Sequence, residues 1–228
     1  MRANVAIIIP AGPGDDAWRN LLPQLDGADA DEIVLVLAED DGGTVATGLD
    51  IHVVHAPVGR ARQLNAGVNA SHAGWLWFLH ADSELTPGTL KVMRDFVRQD
   101  QDAIGYFRLG FVADGPAGMF LNAWGARLRS RIFGMPFGDQ GLLMPRRVFA
   151  ALGGFDENVG KGEDHALVWV AHAGEIPLRA LNAIIRTSAR RYAEHGWWRT
   201  TWQHLRLSRT QAANFSRRAR AKAAIGRA

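Results

Sequence analysis

The sequence predicts an α/β fold, a doubly wound and mostly parallel sheet flanked by helices. Three observations carry that expectation. Short unbroken apolar runs recur along the first half of the chain, helix-length segments separate them, and polar clusters begin directly where the runs end. Strands buried on both faces read as continuous apolar runs. Strand, helix and strand in alternation argue for a parallel sheet, and such sheets bind ligands at the carboxyl ends of their strands.

Residues 5–9 (VAIII) form the first run, and Pro10 ends it. Residues 15–25 are expected to be helical, capped by Asp15 or Asp16. Residues 32–37 (EIVLVL) form a second strand, closed by Glu39-Asp40-Asp41-Gly42-Gly43, and residues 51–54 a third. A helix opens at Gly59-Arg60-Ala61-Arg62-Gln63-Leu64-Asn65-Ala66-Gly67 and continues to Ala70. Residues 75–79 form a fourth strand that runs straight into His80-Ala81-Asp82-Ser83-Glu84. Residues 87–98 read as a helix with proline near its start. The second half is less regular. A partly alternating strand over 105–112 and a basic helix over 122–133 are followed by Gly138-Asp139-Gln140-Gly141 and an apolar strand ending at Met144. A short helix over 146–152 stops at Gly153-Gly154. Residues 163–172 form a helix whose first turn carries acids, where its dipole favours them.

Composition narrows the function classes. The chain has 228 residues, 47% hydrophobic and 21% charged, normal for a globular protein able to bury a sizeable core. Cysteine is absent, which excludes disulfides, cysteine zinc sites and cysteine nucleophiles. The apolar run at the N-terminus is too short for a signal segment or membrane span, so a cytoplasmic protein is the default. The net charge of +3 hides a division: residues 186–228 hold eleven Lys/Arg and one acid, so the preceding 185 residues are net acidic. A uniformly basic nucleic-acid binder does not look like this, and no nucleic-acid partner is expected. The expected organisation is a body over 1–185, divided at about residue 98, and a basic helical tail over 186–228.

Four clusters can carry chemistry, and each has a plain structural alternative. His80, Asp82 and Glu84 alternate past a buried strand, where carboxylates can hold a hard divalent cation; a solvated turn before Pro87 is the alternative. Glu163-Asp164 sits at a helix start behind Gly160-Lys161-Gly162, a place that suits a general base or simple first-turn capping. Gly138-Asp139-Gln140-Gly141 suits either the reading of an acceptor hydroxyl or a turn. Arg60, Arg62 and Asn65 at a helix start suit phosphate binding or a solvated basic face. Gly12-Pro13-Gly14 lacks the third glycine of a dinucleotide fingerprint, and no HExxH, Walker or G-x-S-x-G pattern occurs.

Taken in order, these segments resemble the family 2 glycosyltransferases, and most closely their short bacterial arsenosugar-biosynthesis-type subgroup. The resemblance rests on Ile7-Ile8-Ile9-Pro10, the segment Gly59 to Gly67, Phe78-Leu79-His80-Ala81-Asp82, Gly138-Asp139-Gln140-Gly141, Leu152-Gly153-Gly154-Phe155, Glu163-Asp164 and Thr187-Ser188-Ala189-Arg190-Arg191-Tyr192. It implies a GT-A fold, with a Rossmann-like, mostly parallel sheet whose nucleotide half is about 1–98 and whose acceptor half is 99–185. It also implies a nucleotide-sugar donor, a divalent metal (Mn2+ or Mg2+) and an inverting displacement. By that match Asp82, with Glu84 near it, would hold the metal, and His80 stands where the family's first acid lies. Asp164, or else Glu163, would be the base. Pro10, Glu39, Asp40, Arg60, Arg62, Asn65, Arg190 and Arg191 would contact the donor, and Gly138, Asp139 and Gln140 the acceptor. The family's nucleoside-binding aspartate, aligned without gaps, falls on Leu37, so the acids after it are the substitutes.

In the tail, Trp198, Trp202 and Leu205 repeat at i, i+4 and i+7 among arginines. Such a stripe fits a peripheral contact with an anionic membrane face, or packing on the body. Two rival functions follow from the same residues. One is a non-catalytic nucleotide-sugar or glycan binder; the other is a sugar nucleotidyltransferase, whose glycine-rich basic loop after the first strand is here acidic.

Overall fold

A computed structural model of the chain describes residues 4–28, 30–42, 45, 47–112, 114 and 135–188. In chain order the elements are β1 (Val5–Pro10), α1 (Trp18–Leu21), a 3-10 turn (Leu22–Leu25), β2 (Glu32–Ala38), β3 (His52–Ala56), α2 (Arg60–Asn69), β4 (Trp75–Phe78), β5 (Glu84–Leu85) and α3 (Thr89–Val97). They continue with β6 (Ile104–Phe111), a second 3-10 turn (Gly138–Gln140), β7 (Leu143–Pro145), α4 (Arg146–Leu152), α5 (Glu163–Ala173) and β8 (Leu178–Thr187). The helix expected over 122–133, the tryptophan stripe of the tail, Arg190 and Arg191 lie outside the described residues.

The strands form one sheet in the order β3-β2-β1-β4-β7-β6-β8-β5. The first four are parallel. The chain runs outward from β1 to β3 and then returns through α2 to place β4 on the other side of β1. That reversal parts the connections on either side and leaves a crevice at the carboxyl ends of β1 and β4. The second half of the sheet is mixed: β7 is antiparallel to both β4 and β6, whereas β8 is parallel to β6.

Both faces of the sheet are covered, which is why β1 and β2 carry no polar alternation. Val5, Ile7 and Ile9 face a cluster with Trp18, Leu21, Met93 and Phe96. Ala6 and Ile8 face the opposite cluster, with Leu64 and Val68 of α2, Phe149 of α4 and Leu167 of α5. Helix α2 approaches the sheet so closely that a Cβ on Gly67 would lie 2.6 Å from Cγ2 of Ile8 and 3.0 Å from Cγ2 of Val36. Both are stiff β-branched side chains in a packed core. Gly67→Ala is therefore expected to destabilise the protein by about 1–3 kcal/mol, measured as a lower urea midpoint at unchanged slope.

Two expectations change. The helix expected over 15–25 is cut short, because Pro23 has no N–H to continue the α-helical ladder and the chain tightens into a 3-10 turn. Asp15 still accepts the Ala17 N–H at 3.1 Å ahead of α1. Strand β8, ten residues long, is an element the residue pattern does not announce. Leu181, Ala183, Ile185 and Thr187 are buried, but alanine and asparagine between the larger residues blur the two-residue period. No helix among the described residues is long and apolar enough to cross a membrane.

Candidate active site

The crevice is walled by the residues that follow β1 and β4 and by the first turns of α2 and α5. Its best-placed cation is Arg60, the first residue of α2. Gly59, at φ +141°, turns the chain into this helix. The Arg60 guanidinium lies 3.3 Å from Nδ1 of His80 and, through Nε, 2.7 Å from Oε1 of Glu163. An arginine can only donate, so His80 accepts at Nδ1 and carries its proton on Nε2. Arg60 thus ties the end of β4 to the start of α5. The rest of its segment serves the fold. Gln63, buried on the inner side of α2, donates to the carbonyls of Ala11 (2.6 Å) and Val36 (3.2 Å) and clamps the ends of β1 and β2 together. Asn65 exchanges two hydrogen bonds with the Phe155 backbone and donates to Glu157, away from the crevice. Arg62 is exposed.

Glu163 and Asp164 sit side by side but in different surroundings. The Glu163 side chain is only 6% exposed. Burial pushes its carboxyl above the ordinary range, the neighbouring Asp164 charge adds to that, and Arg60 opposes it. Asp164 is less buried. Its Oδ1 accepts the His165 N–H at 2.8 Å, and its Oδ2 accepts the Gly138 N–H. Two of the roughly four acceptor positions on the carboxylate remain. A Cβ on Gly138 would lie 2.8 Å from Asp164 Oδ2 and 3.2 Å from His80 Nε2. Glycine at 138 therefore keeps open the gap between imidazole and carboxylate.

The three polar residues after β4 do not act as one ligand set. A turn closes from Ser83 N–H to the His80 carbonyl at 3.1 Å, and it sends the side chains apart. Asp82 points to the end of β8, where its Oδ2 accepts from Thr187 Oγ1 (3.0 Å) and the Ser188 N–H (3.3 Å). Glu84 enters β5 and pairs with Arg186 at 3.0 Å, so its carboxylate is turned to β8 instead of standing beside Asp82. Among the described residues, no group of three or more His, Asp or Glu is placed to hold a metal ion. The structure instead brings out Thr187 as the residue that holds Asp82. The sequence offers Thr187 only as the start of a segment that carries the family resemblance, with no partner for it.

In the second 3-10 turn, Gln140 is 1% exposed. It donates to the Phe107 carbonyl at 2.9 Å and accepts the Phe137 N–H at 3.1 Å. Its amide pins the turn to β6 and is withdrawn from any acceptor, whereas Gly138 and the partly buried Asp139 line the turn itself. At the far end of the crevice, Leu37 is buried inside β2, so no acid is available at that position. Glu39 and Asp40 are exposed just beyond it, near Pro10 at the end of β1. Asp41 accepts the Gly14 N–H at 3.2 Å, and its carbonyl meets His55 at 3.1 Å, which closes the turn over the β1 loop.

The model of the family described as Glycosyl transferase family 2 matches residues 16–141. Among solved structures, Staphylococcus aureus TarS 1-349 in complex with UDP superposes with a TM-score of 0.57 at 18% identity, over 81% of this chain and 60% of that one. The complex of the same protein with UDP-GlcNAc gives 0.57 at 17% identity, over 81% and 58%. The chain therefore spans less than two thirds of the length of these structures, and at such identity the likeness is one of fold. No curated protein sequence matches the chain.

Proposed function

Because the chain belongs to glycosyl transferase family 2, we propose that it moves a sugar from a nucleotide-sugar donor to an acceptor hydroxyl, inverting the anomeric centre. The donor diphosphate lies against Arg60 and the Asp82 turn, and Asp164 is the general base. The observation that carries this reading is the meeting of Arg60, His80, Glu163, Asp164 and Gly138 at the carboxyl end of β4. The uridine nucleotides bound by S. aureus TarS make UDP-sugars the first donors to try.

In this mechanism the acceptor hydroxyl gives its proton to Asp164 as its oxygen attacks the anomeric carbon. The bond from that carbon to the diphosphate oxygen breaks with inversion, and the electron pair leaves on the diphosphate. Arg60 faces the charge that develops there, as a donor already fixed in place by its partners before the reaction begins. Glu163 holds the Arg60 guanidinium in position, and His80 supports it from β4. Oδ1 of Asp82 takes no hydrogen bond among the described residues, whereas Oδ2 is held by Thr187 and Ser188. Asp82, through Oδ1, would hold a divalent cation in the manner of a site that relies on one protein carboxylate instead of an all-protein cage. When bound, such a cation supplies charge neutralisation on the leaving diphosphate.

The test is release of nucleoside diphosphate from a panel of nucleotide sugars in Mn2+ or in EDTA. One donor is expected to turn over in Mn2+. Asp82→Asn is expected to cost at least tenfold in that rate while sparing the melting temperature. Equal rates for parent and variant in Mn2+ would remove Asp82 from the donor site.

A further inference from the structure

Arg108, in β6, is a cation that nothing among the described residues matches. Its Nε is sealed from solvent without a hydrogen-bond partner, and the guanidinium joins no ion pair among the described residues. An unmatched, partly buried charge costs stability. Rule-breaking positions of this kind tend to be functional.

Its place follows from the sheet. Tyr106 packs in the cluster under α2, α4 and α5 and Phe107 in the opposite one. The register shift between Tyr106 and Arg108 places its extra residues on β8, so β6 keeps its alternation and Arg108 faces the Tyr106 side. Trp77 and Gly105 are both level with Leu143 of β7, and β6 runs parallel to β4. Arg108 is therefore level with His80, two strands or about 10 Å away. Between them lies the 138–140 turn, pinned to β6 through Gln140 and Phe107 and carrying the Gly138 N–H that holds Asp164. The order across the crevice is Arg60 and His80, then Asp164, then Arg108. Toward the rim the next inward-facing residue of β6 is Gly110, and on β8 Ile184 stands beside Arg108, while Arg186 is already paired with Glu84.

We propose that Arg108 anchors an anion-binding subsite on the acceptor side of Asp164, so that the acceptor carries a carboxylate or phosphate beside the hydroxyl it presents. This rests on Asp164 as the base. A guanidinium fork suits either anion. The diphosphate of the donor is the other source of such chemistry, and the order across the crevice places it on the far side of Asp164.

The experiment titrates the full chain, in the presence of UDP, with matched probes: glycerol 3-phosphate against glycerol, and glucuronate against glucose. The parent is expected to bind each anionic probe at least tenfold more tightly than its neutral partner, a factor in keeping with a charge-assisted pair. Arg108→Gln is expected to abolish that preference, Arg108→Lys to keep part of it, and neither to change UDP affinity or lower the melting temperature. Four results would overturn the proposal. They are no anion preference in the parent, an unchanged preference in Arg108→Gln, a loss of UDP affinity as large as the loss of probe affinity, and a fall in melting temperature that marks Arg108 as structural. Because the readout is binding, it stands apart from the role of Asp164 in turnover.

Discussion

Asp164→Asn is expected to lower sugar transfer by roughly 10²–10⁴-fold, the range a positioned general base supplies, and to leave donor affinity unchanged. The carboxamide keeps the shape of the carboxylate. Its oxygen can still accept the Gly138 N–H, which preserves the turn, while the NH2 gives up the His165 N–H bond that Oδ1 accepts in the parent. What it loses is the capacity to take the acceptor proton. The effect is therefore confined to kcat, read from initial rates at saturating donor alongside calorimetric donor affinity. Glu163→Gln serves as the comparison, because Glu163 faces Arg60 and is buried. A variant of Glu163 that stopped turnover with donor affinity intact, beside an active Asp164→Asn, would exchange the two roles.

Arg60→Met is expected to have the second large effect, on stability and donor binding together. It leaves the nearly buried Glu163 carboxylate without its cation. Breaking a fully buried pair costs about 3–5 kcal/mol. Arg60 is a third exposed, so solvent screening reduces the expected loss to roughly 1–3 kcal/mol. Glu163 already has a raised carboxyl pKa from burial and from Asp164, and loss of Arg60 raises it further. A group with a raised folded-state pKa binds more protons folded than unfolded, so its ionisation costs stability as pH rises. The penalty of Arg60→Met is thus expected to be largest near neutrality and to shrink as pH falls toward the ordinary carboxylate range. Adding Glu163→Gln should remove most of that pH dependence, measured by urea unfolding of the single and double variants. A penalty independent of pH, or untouched by Glu163→Gln, would show that the pair is not what Arg60 stabilises.

Much of the fold is legible in residue patterns because its first half is buried on both faces. Continuous apolar runs such as residues 5–9 and 32–37, each too short for a buried helix, fit a strand covered on both sides and little else. The strand–helix alternation then places β1 and β4 at the centre. Strand β8 is hidden because its outward positions hold Ala180 and Asn182, which carry no β signal. The candidate site is legible where position implies role: Arg60 opening a helix, His80 ending a strand, Asp164 in a first turn. It is illegible where residue type misleads. Glu84 looks like a third ligand only if the strand continues past Phe78, and the turn over 80–83 ends that alternation. Asn65 and Gln140 have the chemistry of ligand readers, yet their amides hold the backbone of Phe155 and of Phe107 and Phe137. A buried amide that completes the backbone cannot be told from a binding one without its partners. Arg108 gives no signal for the opposite reason, since only the fold reveals that its Nε is sealed from solvent with no partner among the described residues.

The most direct test of the donor site is a calorimetric titration of the parent, Arg60→Met, Asp82→Asn and Asp164→Asn with UDP and the other nucleoside diphosphates in Mn2+. One nucleoside diphosphate should bind the parent, more weakly Arg60→Met and Asp82→Asn, and Asp164→Asn as tightly as the parent. Binding indifferent to Arg60 and Asp82, or no binding by any member of the series, would contradict a donor diphosphate held at the junction of β4, α2 and α5.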